Sequence, residues 1–497
     1  MNQRGTDDID GRSAGQDERH DRSRLQNRVL RLDDDGAFFL LLESANQPTN
    51  VTWLAELEPS GESDDTQAML TVAELREHIA ARLDLLSPMR WRLYQVPFGL
   101  QHPVIAKDPD FDITFHVEGI TLGEPGNPAD LDELMSHLAE MRLDQGHPLW
   151  KILLVDGLPE GRQALVVVLH HAMWDGTAGR TVLAHLFGEP PDASLVSPEP
   201  LRRLSVMQML TDAFRDQFLA SLRFVGVVWS TMRGLRSIQA RSKLSAVAVP
   251  RPNIDTPVCS LNNAYGAERR YAKTVLSVAE VRRVKDAAGV TFNHVVMALV
   301  ATSLRNVLAA RGDLPDRPLV ANVPVSSDPS GAPQRQWGNG FGNMMTSLAT
   351  DVDDPWERLH KIAAVALEAR LQLELMGVGT LSRWSEFAWP VIARPVVHFL
   401  ARSKRTHKER AECNVLISNI AGGDLTLALG SFRVSTLWLS GPPLDGVGVI
   451  VCVYSSGDQL AITAVTHASA VDDPRELVDG FGNALAELAS IADGLNP

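Results

Sequence analysis

Cysteine is scarce in this sequence, with three in 497 residues. Cys259, Cys413 and Cys452 lie far apart and form no CxxC pair. The pattern therefore predicts neither a disulfide framework nor a zinc site. We expect a protein without a bound metal or cofactor, suited to the reducing conditions of a cytoplasm.

An excess of positive charge is also missing. Lys and Arg number 47 against 61 Asp and Glu, which gives a formal net charge of −14. Binding to the phosphate backbone of nucleic acid needs a large electropositive surface, so we expect no nucleic-acid partner. An anionic ligand would have to bind at a local basic patch.

Long apolar runs are absent as well. No 18 apolar residues follow one another, so the sequence predicts no membrane-spanning helix, although contact with a membrane surface stays open. The first 35 residues alternate Arg with Asp and Glu, which is not the pattern of a signal peptide. We predict a disordered charged tail over residues 1–30. The remaining residues are enough to form two or three globular domains, in a chain of which 44% of the residues are hydrophobic.

Hydrophobic periodicity predicts alternating strands and helices in the first half of the chain. Short apolar runs predict strands at residues 38–43, 51–57, 150–155 and 164–169. Helical spacing of apolar residues predicts helices at 71–85, 131–143 and 177–187. Together these elements predict an α/β lobe over residues 31–200.

A basic segment follows this lobe. Residues 188–200 are rich in Pro, Ser and acidic side chains, which predicts a loop. Residues 202–243 contain eight Lys or Arg and two Asp around an apolar stretch at 224–229, which predicts a basic amphipathic linker helix within 201–250. Packing between two lobes and contact with a membrane surface are both open interpretations of this helix.

The remaining residues, 251–497, predict a second α/β lobe. Helices are expected at 278–288, 292–311 and 352–376, and strands at 318–324 and twice within 447–465. Residues 387–400 are apolar but interrupted by Pro390 and Pro395.

The first lobe contains a candidate acid–base motif. His170 and His171 follow the predicted strand at 164–169, and Asp175 and Gly176 come shortly after them. A neutral imidazole, with a pKa near about 6.5, accepts a proton from a hydroxyl at neutral pH and returns it to a leaving group. We expect His171 to be this general base, Asp175 to fix the loop and the imidazole tautomer together with an arginine, and Gly176 to permit a sharp turn.

Two other interpretations of the histidine pair stay open. The pair can be ordinary polar residues at the end of a strand. A zinc site is a weaker alternative, because no HExxH spacing occurs and neighbouring side chains of a strand point to opposite faces.

At His170–Gly176 the chain resembles the bacterial wax ester synthase/diacylglycerol acyltransferase family, within the CoA-dependent acyltransferase superfamily that carries the HHxxxDG motif. The resemblance extends from about residue 30 to about residue 492. It includes the segments 108–117, 148–150 (PLW), 289–324 and 348–359, and the residues Gly338, Asn339, Ser418 and Asn419.

The resemblance implies two chloramphenicol-acetyltransferase-like lobes, a pseudo-dimer joined by a long crossover helix, with the active site at the lobe interface. It implies an O-acyltransferase that moves a long-chain fatty acyl group from acyl-CoA, a co-substrate, to diacylglycerol or a long-chain alcohol. The product would be triacylglycerol or wax ester. The protein would be cytoplasmic, at the inner face of the membrane or on lipid droplets.

The family motifs also imply site residues. The catalytic group would be His171, with His170 and Asp175. Substrate binding or support of the site would fall to Gly176, Pro148, Leu149, Trp150, Asn293, Gly338, Asn339, Ser418 and Asn419. Among these, Asn293 or Asn419 would supply oxyanion-hole donors, and the residues 148–150 would support the fold or line the acyl channel.

Two positions depart from the family pattern. His294 follows Asn293 where the family has Asp, and residues 418–423 read SNIAGG where the family has SNVPGP. The first change is expected to alter hydrogen bonding or to remove a helix-start interaction, and the second to change the pocket or the choice of acceptor.

Two other functions therefore remain open: an acyltransferase with a different acceptor, and a non-catalytic protein that binds lipid droplets or membranes. A basic cluster at residues 402–410 is a candidate contact for the phosphates of coenzyme A, or a solvated surface.

Overall fold

The computed structural model describes residues 29–59, 69–123, 127–188, 205–329, 334–380, 382–387, 389–396, 399, 411–423 and 427–495. The predicted tail up to residue 28, the boundary loop from residue 189 onward and the basic cluster at 402–410 lie outside these ranges.

The described chain alternates helices and strands, as an α/β fold requires. The strands are β1 (Leu30–Arg31), β2 (Asn50–Pro59), β3 (Trp91–Tyr94), β4 (Val104–Lys107), β5 (Val117–Thr121), β6 (Trp150–Asp156), β7 (Gln163–His170), β8 (Arg269–Ser277), β9 (Val320–Ser326), β10 (Phe341–Ser347), β11 (Val415–Gly423), β12 (Ala428–Leu429), β13 (Phe432–Ser440), β14 (Val449–Ser456) and β15 (Gln459–His467). The helices are α1 (Asp34–Leu42), α2 (Val72–Arg82), α3 (Ile113–His116), α4 (Pro128–Glu140), α5 (Gly176–Phe187), α6 (Val206–Leu244), α7 (Val278–Ala288), α8 (Phe292–Ala310), α9 (Pro355–Met376) and α10 (Arg475–Leu495).

Two six-stranded sheets form the cores of two lobes. The first has the order β12-β13-β2-β7-β6-β5, and the second the order β10-β9-β11-β14-β15-β8. A small sheet of β1, β4 and β3 lies beside the first. The two-lobe α/β architecture expected from the sequence is confirmed.

One strand crosses between the lobes. β13 pairs antiparallel with β2, from Phe432 opposite Pro59 to Ser440 opposite Thr52, and so adds the second half of the chain to the first sheet. Leu437 and Trp438 are buried in the first core. The predicted division at residue 250 does not account for this strand, which covers the edge that β2 would otherwise expose.

Most sequence-predicted elements are confirmed, but residues 38–43 are not a strand. Residues 38–42 lie in α1 and Glu43 is its C-cap. The helix begins after Asp33, whose carboxylate accepts a hydrogen bond from the amide of Gly36. A short apolar run does not by itself distinguish a buried helix from a strand. The three acidic residues in front of it were the helix-start signal.

The predicted basic linker helix is α6, which has 39 residues. Its buried face packs on α9, where Gly234 lies against Met376 and Arg241 pairs with Glu368. α8 is long and apolar enough by composition to cross a bilayer, but most of it is buried in the second core, so its hydrophobicity is that of a core helix.

Candidate active site

β7 carries the histidine pair to the interface between the lobes. All eight of its residues are buried, and it lies between β2 and β6. The amide of His170 donates to the carbonyl of Leu149, and the amide of His171 donates to the carbonyl of Thr49. The backbone hydrogen bonds of β7 to the segments on both of its sides therefore continue as far as His170 and His171. The side chains of these two adjacent residues point in different directions.

His170 faces the protein interior. Its Nδ1 accepts a hydrogen bond from the amide of Ala172 at 3.0 Å, so Nε2 carries a proton and donates it toward Glu43, 3.3 Å away. Burial raises the pKa of Glu43, but hydrogen bonds from His170 and Arg142 outweigh burial and lower it to about 2. His170 thus anchors the strand end to a buried carboxylate, and it is not among the described residues that line the cavity.

His171 lines the cavity and is held through Nδ1, which lies 3.0 Å from Oδ1 of Asn339. The Asn339 amide nitrogen donates to the carbonyls of His171 (2.9 Å) and Ala172 (3.3 Å), which fixes the orientation of the amide. Oδ1 is then the acceptor, and Nδ1 of His171 must be the donor. The unprotonated nitrogen of His171 is Nε2.

Aromatic rings enclose the imidazole. Phe39 of α1 stacks on His171 with ring centroids 3.8 Å apart, and Phe341 of β10 approaches edge-on at 6.0 Å. Burial lowers the pKa of His171 below its ordinary value, against a smaller opposing effect of the Asp175 carboxylate. The environment therefore favours a neutral imidazole that can accept a proton.

Asp175 shapes the loop rather than contacting the imidazole. As N-cap of α5, its Oδ1 accepts from the amide of Ala178, while Oδ2 accepts from Arg335 (2.8 Å) and from the amide of Gly340 (3.0 Å). Burial lowers the pKa of Arg335, but Asp328 and Asp175 together raise it above its ordinary value. Arg335 is the arginine that the motif led us to expect, and sequence alone did not identify it.

Gly338 and Asn339 connect this loop to α1. The amide of Gly338 donates to the carbonyl of Met173, and the amide of Asn339 donates to Oδ2 of Asp33. Gly338 has φ +86, and a Cβ there would lie 2.8 Å from the Asp33 carboxylate. Burial raises the pKa of Asp33 to about 6. Asp33 therefore joins α1, which carries Phe39, to the residues that hold His171.

Gly176 has a different role from the predicted one. A Cβ at this position would overlap the side chain of Ile420 in β11. The residue is a glycine because the two lobes approach each other closely here, whereas the sequence suggested a sharp turn.

The residues 148–150 belong to the core. Pro148, Leu149 and Trp150 are all buried. The indole nitrogen of Trp150 donates to the carbonyl of Met89, and its ring stacks on His116 at 4.3 Å. Of the two roles considered for them, the structure places all three in support of the fold, outside the described lining of the cavity.

The predicted oxyanion-hole donors do not face the cavity. The side-chain amide of Asn419 donates to Oδ1 of Asn293, and neither is among the described lining residues. Ser418, the neighbour of Asn419 in β11, does line the cavity. The expected loss of a helix-start interaction at His294 does not occur, because the amide of Thr291 donates to His294 Nδ1 in a capping box.

A cavity of about 480 Å³ lies between the lobes in front of His171. Ile420, Ser418 and Leu416 line it at every second position of β11, a distance of about 13 Å along the strand. Ile420 marks the end near Gly176, and Glu412 lies at the other end. Most of the described lining residues are apolar, and none is Lys or Arg.

Comparison with known proteins identifies relatives along most of the chain. The model of the wax ester synthase/diacylglycerol acyltransferase catalytic domain matches residues 32–296, and that of the WS/DGAT C-terminal domain matches residues 337–489. A protein of Mycobacterium tuberculosis named as a diacylglycerol O-acyltransferase is 31% identical over 457 residues, which cover 91% of this chain and 94% of the relative. One of Mycobacterium bovis, with the same kind of name, is 31% identical over 450 residues, or 88% and 91% of the two chains.

Solved structures agree with these sequence matches. The wax ester synthase/diacylglycerol acyltransferase from Marinobacter aquaeolei VT8 superposes with a TM-score of 0.65 at 25% identity, over 94% of this chain and 100% of that one. A starter condensation domain of rhizomide synthetase, solved in complex with C8-CoA and Leu-SNAC, has a TM-score of 0.53 at 12% identity over 95% and 96%. The second likeness concerns the fold alone.

Proposed function

The chain belongs to the wax ester synthase/diacylglycerol acyltransferase family and is an acyltransferase, and we propose that His171 is the general base of its reaction. The donor in this proposal is a long-chain fatty acyl-CoA, and the acceptor is the hydroxyl of diacylglycerol or of a long-chain alcohol. The observation that carries the proposal is the hydrogen bond from Nδ1 of His171 to Asn339, which leaves Nε2 as the unprotonated nitrogen.

The proposed reaction is a direct transfer. Nε2 of His171 removes the proton of the acceptor hydroxyl as its oxygen attacks the thioester carbonyl. When the tetrahedral intermediate collapses, the C–S bond breaks and the imidazolium returns the proton to the sulfur of coenzyme A. The lowered pKa of His171 supports this role, since the resting imidazole is neutral.

The tetrahedral oxyanion needs a hydrogen-bond donor about 3 Å away. We assign Ser418 to this role, because it lines the cavity two residues from Ile420, which meets the catalytic loop at Gly176. Ser418→Ala is expected to lower kcat by about a hundredfold to a thousandfold with little change in KM, which is the range that the loss of one oxyanion-hole donor costs.

The lining of the cavity favours a neutral acceptor. The described lining residues include the carboxylates of Asp35, Glu412 and Asp445 but no Lys or Arg. The described lining therefore offers a phosphate-bearing acceptor no cationic side chain to neutralise its charge. The hydroxyl of a diacylglycerol or a fatty alcohol has no charge to neutralise, and its chains match the apolar wall.

The proposed location follows from the substrates. Diacylglycerols and long-chain alcohols partition into lipid, so the proposal places the protein in the cytoplasm, peripherally on the inner face of the membrane or on lipid droplets.

The test is release of free thiol from palmitoyl-CoA with hexadecanol or a diacylglycerol. The parent protein is compared with His171→Ala and with a matched control, His360→Ala, an exposed histidine of α9. We expect acceptor-dependent release in the parent and the control, and a loss of at least about a hundredfold in His171→Ala. Equal release by His171→Ala would refute the assignment of the base, and release with neither lipid would refute the assignment of the acceptor.

A further inference from the structure

The long helix α6 has two faces of opposite kind. Its buried face carries Met209, Ala213, Ala220, Val227 and Gly234, which are mostly small and repeat at intervals of four or seven residues. Such spacing places them on one side of a helix. This side packs on the body of the protein, against Val96 at one end and Met376 at the other.

The opposite face is a continuous apolar stripe in solvent. It consists of six side chains, each between 46% and 72% exposed: Phe214, Phe218, Leu222, Val225, Trp229 and Met232. Their spacing of three or four residues aligns them along about 27 Å of one helix face. Single exposed apolar residues are common, but a contiguous patch of this length marks a docking surface.

Positive charge borders the stripe. Arg215 and Arg233 are 18 residues apart, which is five helical turns, so they lie along the same border of the stripe, and Arg236 continues its axis. None of these three makes an ion pair with another described residue, whereas Arg223 and Arg241 on the inner side pair with Glu386 and Glu368. In a chain of net charge −14, this unneutralised basic border is complementary to an anionic surface.

A second group of exposed apolar residues lies beside the helix. Phe98 is 79% exposed and has φ +61, in the short turn Pro97–Gly99, and Val391 lies against Gly99. Positive φ costs free energy for a bulky residue. The backbone thus holds the aromatic side chain of Phe98 in solvent, where packing against the protein contributes little to its stability.

One turn, Ser382–Phe387, packs between α6 and the wall of the cavity. Trp384 of this turn donates to Thr231 and packs with Phe224, and Glu386 pairs with Arg223, all on α6. The turn also packs on α1, whose residues Phe38 and Phe39 line the cavity. Only α6 and this turn therefore lie between a surface bound to the stripe and α1, which forms part of the wall of the cavity.

We propose that the outer face of α6, with its basic border, is the surface by which the protein binds an anionic lipid layer. The apolar stripe enters the boundary between headgroups and acyl chains, and Arg215, Arg233 and Arg236 meet the phosphates. This inference rests on the proposed function, since the bound lipid layer supplies the acceptor to the cavity beside α1.

Binding is measured by cosedimentation of the full chain with vesicles of phosphatidylcholine, with and without phosphatidylglycerol. We expect Phe218→Gln/Trp229→Gln to lower the partition coefficient at least about tenfold on both kinds of vesicle, because two large apolar side chains are lost. Arg233→Gln/Arg236→Gln is expected to lower it by about tenfold or more on anionic vesicles only. The matched controls, Ile254→Gln/Val258→Gln and Arg282→Gln, remove exposed residues elsewhere and are expected to bind like the parent.

Insertion is measured separately with brominated phosphatidylcholine. Trp229→Phe keeps the stripe apolar, so the vesicle affinity of this variant should lie within about twofold of that of the parent. Part of the quenching of tryptophan fluorescence by the brominated lipid should be lost, because Trp229 is absent. Thermal unfolding of each variant confirms that it is folded. None of the stripe residues belongs to the catalytic site, so thiol release with a short, water-soluble alcohol should be unchanged in every variant.

The outcomes separate this surface from its alternatives. Binding by the stripe variants equal to that of the parent overturns the proposal. A concentration-dependent dimer that the stripe variants abolish, without vesicle binding, also overturns it in favour of a second copy of the chain. Stripe-dependent vesicle binding without acyl transfer supports the surface and refutes the proposed function, because cosedimentation needs no turnover.

Discussion

Oδ1 of Asn339 lies 3.0 Å from Nδ1 of His171, and the same amide donates to two backbone carbonyls of the histidine loop. One side chain from the second half of the chain thereby fixes the position, the ring orientation and the tautomer of an imidazole from the first half. The general base that we propose is completed only where the lobes meet.

Replacement of Asn339 by Asp tests this relationship. The carboxylate keeps an acceptor for Nδ1–H but adds a negative charge, which raises the pKa of His171. The acid limb of the pH profile of kcat should then move to higher pH, and Asn339→Ala should lower kcat by about tenfold to a hundredfold across the profile with little change in KM. A purely structural role would lower stability without moving the acid limb.

The close approach of Gly176 and Ile420 gives a compensation test. Gly176→Ala introduces a methyl group that overlaps the Ile420 side chain, and overpacking of this kind costs about 1–3 kcal/mol. We expect lower thermal stability and lower activity, and partial recovery of both in Gly176→Ala/Ile420→Ala. If the double variant is no better than Gly176→Ala, the requirement for glycine comes from the backbone and not from the contact between lobes.

The ion pair of Asp175 and Arg335 is expected to behave as a unit. Arg335→Met leaves the buried carboxylate of Asp175 without its arginine and should lower the free energy of unfolding by about 2–4 kcal/mol. Asp175→Asn should cost less, because Arg335 still pairs with Asp328. Because both changes remove the same interaction, the double variant should cost clearly less than the sum of the two single changes. Urea unfolding of the four proteins measures the coupling, and additive effects would contradict it.

The raised pKa of Asp33 predicts that the stability of the protein depends on pH. Burial raises this pKa from 3.8 to about 6, so the folded protein favours the protonated carboxyl. The stability this provides is present below about pH 4 and is lost as the pH rises through about 6, on the order of 3 kcal/mol in all. Between these pH values the parent should lose stability relative to Asp33→Asn, as measured by urea unfolding at each pH. A difference that stays constant with pH would contradict the raised pKa.

Much of the fold follows from local sequence. The buried strand β7, the helices with polar caps and the hairpin of β14 and β15 were predicted close to their observed bounds, because periodicity and turn residues act over a few positions. α1 was predicted as a strand because an apolar run of six residues fits either structure. The crossing of β13 into the first sheet depends on an edge more than 370 residues away, which no local pattern reveals.

The sequence by itself determined the family, the α/β class and the histidine motif, because these are carried by short spacings and by residue types. Tertiary structure decided which histidine faces the cavity and which nitrogen carries the proton. It also decided that Asn293 and Asn419 bond each other away from the cavity, and that Asp33, Phe39 and Arg335 belong to the site. The physical reason is that these contacts join residues far apart in the chain, some within one lobe and others from both lobes. Their distances are set by tertiary packing and not by position along the chain.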